Sequence, residues 1–332
     1  MKAFVTGATG FLGIHLVQLL CQEGWEVFAF HRQNSDLSEL KKLRGITYLV
    51  GDVTDKESVA NAMPEAIDAV FHAAGSVGFL EPKKEKLQYH VNELGTRNVV
   101  EVALAKRARR FVYTSTILTY EFTSGRRITE ASPPNTSSAY AYAHSKYLAE
   151  CEVEQGVRRG LDAVFIHPSA IFGAYDKSTW SKMFREIQRG LRVPFAPPGE
   201  ASVCHMRKVA EAHLRAFERG RTGEHYVLGG VDVDYLELSR SIARILKRPG
   251  PFFVLPGPLF RLIGRCEYRV STLLGREPML TPPMADILCE KIVCDSSKAV
   301  SELNYAPSSL QTMLQDCYDW MVSADMLPAK AA

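Results

Sequence analysis

The 332-residue sequence lacks any apolar run long enough to span a membrane. Its most apolar late stretch, residues 252–263, is interrupted by Pro256, Pro258 and Arg261. Cysteine occurs at seven scattered positions (21, 151, 204, 266, 289, 294 and 317), with no Cys-x-x-Cys pair. An odd, dispersed set argues against a disulfide framework or a zinc site and for a reducing compartment. Excess charge is scarce as well: 40 basic against 37 acidic side chains leave +3, too little to attract a nucleic acid. The basic clusters Lys83 to Lys86 and Lys106 to Arg110 read as solvated surface. Because the N-terminus enters a strand at once, no signal peptide fits, and a cytoplasmic protein without a membrane span is expected.

What is present begins with the first twenty residues. Lys2 to Thr6 form a strand-like run, Gly7, Gly10 and Gly13 follow, and Ile14, Leu16, Val17, Leu19 and Leu20 recur at helical spacing. Gly7 allows a sharp turn, Gly10 lets the backbone approach a phosphate, and Gly13 lets helix and strand pack closely. A pyrophosphate would rest on the helix N-terminus, where unpaired N–H groups and the macrodipole favour an anion.

A second strand, Trp25 to Phe30, ends in His31 and Arg32. A dinucleotide site reads the adenosine ribose here, usually with an acid for a free 2′-hydroxyl. The acid is missing, so NADP(H) is preferred and NAD(H) remains possible; the alternative is that Arg32 merely faces solvent. After strand three (Ile46 to Val50), Asp52 and the Val53 backbone are placed to hold an adenine edge, or Asp52 or Thr54 caps the helix starting near Asp55. Ala73, Ala74 and Gly75, beyond strand four (Ala69 to His72), are small enough to lie against a ribose or the pyrophosphate. A long helix, Leu87 to Ala105, points Asn92 towards the site. Strand five (Arg110 to Tyr113) runs into Thr114, Ser115 and Thr116. The Ser-, Thr- and Pro-rich loop Ser124 to Ser138 has a length usual for function. A helix from Tyr140 to Arg159 and a strand from Asp162 to His167 complete the alternation.

That rhythm predicts an α/β fold: a doubly wound, Rossmann-type parallel sheet with a smaller, sequence-interleaved C-terminal substrate lobe. The dinucleotide domain is expected over 1–170, with 205–228 returning to it, the substrate lobe over 171–204 and 229–325, and a tail at 326–332. Asp234 to Glu237 reads as a capping box. Phe172, Trp180, Phe252 and Phe253 are either pocket aromatics or ordinary core.

Tyr142 and Lys146, four apart, project from one helix face. A tyrosine at its reference pKa of about 10 is a poor acid or base at neutral pH, and a neighbouring ammonium lowers that value. Thr116 offers a second hydroxyl to the same substrate oxygen. No metal ligand set is read.

Taken in order, these residues resemble the extended short-chain dehydrogenase/reductase family, in particular its dihydroflavonol-reductase-like branch. The likeness is carried by Thr6, Gly7, Thr9, Gly10, Phe11, Leu12 and Gly13; by Asp52 with Val53; by His72 with Ala73, Ala74 and Gly75; by Asn92 and Thr96; by Thr114 to Thr116; by Tyr142 with Lys146; and by Pro168 with Ser169. It implies that Tyr142 exchanges a proton with the substrate oxygen and that Lys146 binds the nicotinamide ribose. By the same resemblance His167, Pro168 and Ser169 border the cofactor, although His167 stands where many relatives carry arginine and a structural role is equally open. Lys208 stands where relatives often have an acid. The implied activity is reduction of a small or medium carbonyl compound, or oxidation of the corresponding alcohol. The alternatives are a nucleotide-sugar epimerase, a hydroxysteroid-type dehydrogenase, and a non-catalytic dinucleotide sensor. A dehydratase is disfavoured because Ile117 and Leu118 replace the acid pair such enzymes use. A homodimer through the two long helices is possible.

Overall fold

The computed structural model describes residues 1–77, 85–137, 139–177, 180–190, 194–276, 278 and 280–328. Parts of the 83–86 cluster and of the tail, together with Ser138, lie outside them. Five strands alternate with helices: β1 (Lys2–Thr6), α1 (Phe11–Gln22), β2 (Glu26–His31), β3 (Ile46–Val50), α2 (Lys56–Ala62), β4 (Ala69–His72), α3 (Glu85–Tyr89), α4 (Gly95–Ala105) and β5 (Arg110–Thr114). There follow α5 (Ala141–Arg158), β6 (Ala163–Pro168), β7 (Ala170–Phe172), α6 (Trp180–Gln188), β8 (Phe195–Ala196), β9 (Glu200–His205), α7 (Met206–Arg219) and β10 (His225–Leu228). The chain ends with β11 (Val231–Asp234), α8 (Tyr235–Ile245), β12 (Phe253–Val254), α9 (Gly257–Leu273), α10 (Pro282–Ile287), β13 (Lys291–Ile292), α11 (Ser297–Leu303) and α12 (Leu310–Ser323).

Seven parallel strands form the central sheet in the order β3-β2-β1-β4-β5-β6-β10. The order reverses between β1 and β4, and Thr6 lies beside both Phe30 and His72. The carboxyl ends of the strands therefore open a crevice at the switch point, where such sheets bind ligands. Both sheet faces are apolar because both are covered. Leu16, Leu20, Val209 and Leu303 bring α1, α7 and α11 onto one face; Val99, Ala103, Ala149 and Val153 bring α4 and α5 onto the other. Each buried leucine or valine of this set contributes about 1.5–3 kcal/mol on burial, and each alanine about half of that or less.

The late segments build a second core from Phe172, Phe184, Leu238, Met313, Leu314 and Met321 around a sheet centred on β9. Phe172 is fully buried there and stacks on Trp180 at 4.7 Å, whereas Phe252 and Phe253 are 68% and 49% exposed. Phe172 is core, Trp180 is partly buried against it, and Phe252 and Phe253 are surface. The 124–138 loop ties the lobes together: Ile128 N donates to Val293 O at 2.8 Å, and Glu130 accepts from Val227 N at 2.8 Å. At α8, Asp234 caps Glu237 N at 2.8 Å, but the Glu237 carboxylate turns to Ser241 and Arg244 instead of closing a box.

Candidate active site

The glycine turn fits a pyrophosphate on steric grounds. Gly7 has φ +65°, and a Cβ there would lie 2.7 Å from Ala74 N; at Gly13 it would lie 2.0 Å from Gly7 O. Gly10 is exposed, and its missing Cβ would meet only Gly7 O, at 3.1 Å, so its outer side is open. Thr9 precedes it, and Phe11 and Leu12 open α1. That helix has no side-chain cap and no acid in its first turn, leaving its N–H groups for an anion.

Beneath the turn runs a hydrogen-bonded string. Ala74 N donates to Thr6 Oγ1 at 3.2 Å, Thr6 Oγ1 meets His72 Nδ1 at 2.7 Å, His72 Nε2 meets Thr96 Oγ1 at 2.9 Å, and Thr96 donates to Asn92 O at 2.5 Å. With Thr96 and Thr6 each spending one hydrogen along the string, His72 is neutral and carries its proton on Nε2. Full burial holds its pKa down at about 3.

The expected single helix over 87–105 is interrupted. Between α3 and α4, His90–Leu94 widen into a π-helical turn, a feature common at functional sites. Asn92 in this turn is fully buried; its Oδ1 accepts from Ser76 N at 2.7 Å, and its Nδ2 donates to Ser76 O and Ser145 Oγ at 3.1 and 2.9 Å. It thereby fixes the backbone just beyond Gly75 and ties it to α5.

At the ribose end, His31 is buried, its Nδ1 lies 3.0 Å from Arg32 O, and its Nε2 has no partner. A buried, unsatisfied ring nitrogen calls for a ligand or water. Arg32 is exposed. Asp52 does not cap α2; Asp55 does, accepting from Glu57 N and Ser58 N. Asp52 instead holds Thr54 through one oxygen, at 2.9 Å from both N and Oγ1, which leaves its other oxygen available beside buried Val53.

The chemical group gathers on α5. Tyr142 hydrogen-bonds the Thr116 hydroxyl, and burial pushes its pKa up to about 12 despite that bond. Lys146 is buried and donates to Thr114 O at 2.6 Å, with Nζ 4.3 Å from the centre of the Tyr113 ring. Desolvation lowers the Lys146 pKa to about 7, partly offset by Glu150. The lowering of the tyrosine by the lysine that the spacing suggests is not seen here: burial raises Tyr142, and what opposes it is the hydrogen bond with Thr116.

Sequence reading missed what lies one turn further along. Glu150, eight residues beyond Tyr142, is buried, accepts from Ser115 Oγ and lies 3.4 Å from His167 Nδ1. Burial raises its pKa to about 7. His167 Nε2 meets His225 Nδ1 at 2.8 Å, and His225 stacks on Phe165 at 4.1 Å. With Glu150 ionised and the Thr119 hydroxyl donating to Thr116 O at 2.8 Å, His167 Nδ1 faces acceptors, including Thr116 O at 3.3 Å, so it carries the proton and Nε2 receives one from His225. Glu150, His167 and His225 thus form a line through the imidazole. Both ring nitrogens of His167 are engaged inside the protein, while Pro168 and Ser169 pair β6 with β10 beside it. The i, i+4, i+8 spacing of Tyr142, Lys146 and Glu150 was the available signal. Lys208 pairs with Glu211 at 2.7 Å, which compensates for the cation at the start of α7.

Buried imidazoles also set acid stability. His15, His72 and His213 have pKa values held at about 4, 3 and 4 by desolvation. Folded values below the unfolded one mean stability that is full above about pH 6.5 and lost as pH falls, on the order of 1–2 kcal/mol each between pH 7 and pH 5. Glu150 has the opposite sign, since its raised value favours the folded state below about pH 4.5 and ceases to as pH rises through about 7. The thermal midpoint followed by circular dichroism should fall from pH 7 to pH 5; a midpoint that is flat or rising there refutes the neutral-histidine assignment.

Comparison with known proteins identifies the family and the fold. Residues 3–229 match the NAD dependent epimerase/dehydratase family. The chain is 31% identical over 326 residues to a provisionally named dihydroflavonol 4-reductase of Synechocystis, covering 96% of this chain and 93% of that one. It is 28% identical over 337 residues to sterol demethylase protein B of Methylococcus capsulatus, covering 98% and 100%. Among solved structures, gox2253 superposes with a TM-score of 0.85 at 27% identity, covering 98% and 99%. Thermus thermophilus UDP-glucose 4-epimerase in complex with NAD gives 0.77 at 22%, covering 98% and 100%, a likeness of fold. No helix among the described residues is long and apolar enough to cross a membrane. The match over most of the parallel sheet, the turn and α5 makes this chain a member of the NAD dependent epimerase/dehydratase family, the extended short-chain dehydrogenases/reductases, and an NAD(P)-dependent oxidoreductase.

Proposed function

We propose that the protein is an NADPH-preferring reductase of an aldehyde or ketone, with Tyr142 as the proton donor. The hydrogen bond between the Tyr142 and Thr116 hydroxyls, one helical turn from buried Lys146, carries the reading. Two hydroxyls converging from a buried threonine and a partly buried tyrosine can hold one carbonyl oxygen and stabilise the charge that develops on it. The nicotinamide, when bound, supplies the hydride. Tyr142 is protonated at neutral pH, so it donates to the forming alkoxide, and Lys146 is placed to favour the resulting phenolate. Gly7, Gly10, Gly13 and the start of α1 would seat the pyrophosphate, and Asp52 with Val53 the adenine. His31 Nε2 and the Arg32 guanidinium would meet a 2′-phosphate. Ile117 is buried in an apolar cluster, so this position offers no carboxylate to abstract a sugar proton, which favours a reductase over a dehydratase.

The test is consumption of NADPH absorbance with a panel of aldehydes and ketones. Turnover on at least one supports the reading; tight dinucleotide binding without turnover on any carbonyl overturns it in favour of a sensor. Arg32→Ala should raise the KM for NADPH about 10- to 100-fold, the loss of a charge-assisted hydrogen bond, and leave that for NADH nearly unchanged. Equal weakening of both would remove the phosphate assignment.

A further inference from the structure

Helix α9 carries an apolar stripe that the fold leaves uncovered. Leu262, Val270 and Leu273 are 53%, 54% and 85% exposed, and Leu259 and Cys266 are exposed beside them. At 3.6 residues per turn these five positions fall within roughly 80° of one another along the whole helix. The opposite face is the one the protein uses. Phe260 and Gly264 are buried there, and a Cβ at Gly264 would lie 2.8 Å from Ala285 Cβ of α10.

Among the described residues, the exposed charges bordering the stripe share one sign. Arg265 and Arg269 are exposed along one flank and Arg276 just beyond the C-terminal end. On the other flank Glu267 is half-buried and turned inward, accepting from Ser271 Oγ at 2.8 Å and Leu280 N at 3.1 Å. No acid is exposed on α9. Arg261, on the side facing α10, is already paired with Asp286 and Glu290 at 3.1 and 2.9 Å. An apolar stripe beside arginines that have no ion-pair partner among the described residues matches a helix lying in the plane of an anionic bilayer surface, with its leucines among the acyl chains and its arginines at the headgroups. A second copy of the chain fits less well. A two-fold contact through the stripe would bring Arg265 and Arg269 of both copies together with no exposed acid on the helix to pair them.

We propose that α9 is a peripheral docking element for anionic membrane surfaces, holding the protein on the bilayer without spanning it. This stands independently of the proposed reaction.

The full chain should be sedimented with vesicles of phosphatidylcholine alone and of phosphatidylcholine with phosphatidylglycerol, at low and high salt. The expected result is binding to the phosphatidylglycerol vesicles that weakens with salt. It should fall about tenfold or more in Leu262→Asp/Leu273→Asp, and lose its preference for phosphatidylglycerol in Arg265→Glu/Arg269→Glu. Both variants alter exposed positions, and an unchanged thermal midpoint shows that they fold. Absence of binding to phosphatidylglycerol vesicles at low salt overturns the proposal, as does binding that neither variant alters. Light scattering adds a separate outcome: a dimer dispersed by Leu262→Asp/Leu273→Asp would assign the face to a second copy and likewise overturn it.

Discussion

Tyr142→Phe should lower the rate of carbonyl reduction by a factor of about 10² to 10⁴, the usual worth of a positioned acid, while dinucleotide binding followed by fluorescence stays within about twofold. The substitution removes one oxygen and keeps the ring. The Thr116 hydroxyl loses one partner but keeps Leu118 N, which donates to it at 3.3 Å, so the stability cost is that of one hydrogen bond, about 0.5–1.5 kcal/mol. Burial, which raises the tyrosine to about 12, makes it a protonated donor across the working range. Glu150, raised to about 7, titrates near neutrality, and so does the site's cation, Lys146, lowered to about 7. Its charged form is the one that favours the phenolate, so the wild-type rate should decline as pH rises through about 7, and Lys146→Met should abolish that dependence. A rate within about threefold of wild type in Tyr142→Phe would remove the tyrosine from the mechanism.

The parts of this architecture legible in the sequence are those that depend on neighbours close along the chain. The glycine turn, the strands at 46–50 and 69–72 and the Tyr142/Lys146 pair each follow from a local period or a steric demand. Tyr142 and Lys146 share a face because they are one turn apart, whatever else the chain does. What was not legible depends on contacts between distant segments. The partners of Glu150 are Ser115 and His167, and that of His167 is His225; only the pairing of β5, β6 and β10 brings them together. The π-helical turn at Asn92 is another such case, since a widened turn leaves no period of its own in one sequence. The environment also reversed a sign. Proximity of Lys146 to Tyr142 could be read from spacing, but the depth of burial that raises one pKa and lowers the other could not. Phe172 and Phe253 show the same limit, being alike in the sequence and opposite in exposure.

Gly13→Ala should cost the protein both stability and its dinucleotide. The added Cβ would lie 2.0 Å from Gly7 O, 2.7 Å from Ala8 Cα and 2.8 Å from Ala8 C. All three are backbone atoms of the turn, so no side-chain rotation relieves the clash. Either α1 moves off the strand or the turn opens, and overpacking of this kind costs about 1–3 kcal/mol, more where the backbone is rigid. Leu16, Val17 and Leu20 anchor α1 in the core, which leaves the turn as the part that yields. Gly10→Ala provides the contrast. Gly10 has φ −80°, which alanine adopts without strain, and its Cβ would meet only Gly7 O, at 3.1 Å. That variant should therefore melt within a few degrees of wild type and still bind NADPH about tenfold or more weakly, because the methyl group occupies the approach to the phosphate. The two variants separate packing from recognition. An unchanged melting temperature in Gly13→Ala would refute the packing role, and wild-type NADPH affinity in Gly10→Ala would refute the phosphate seat.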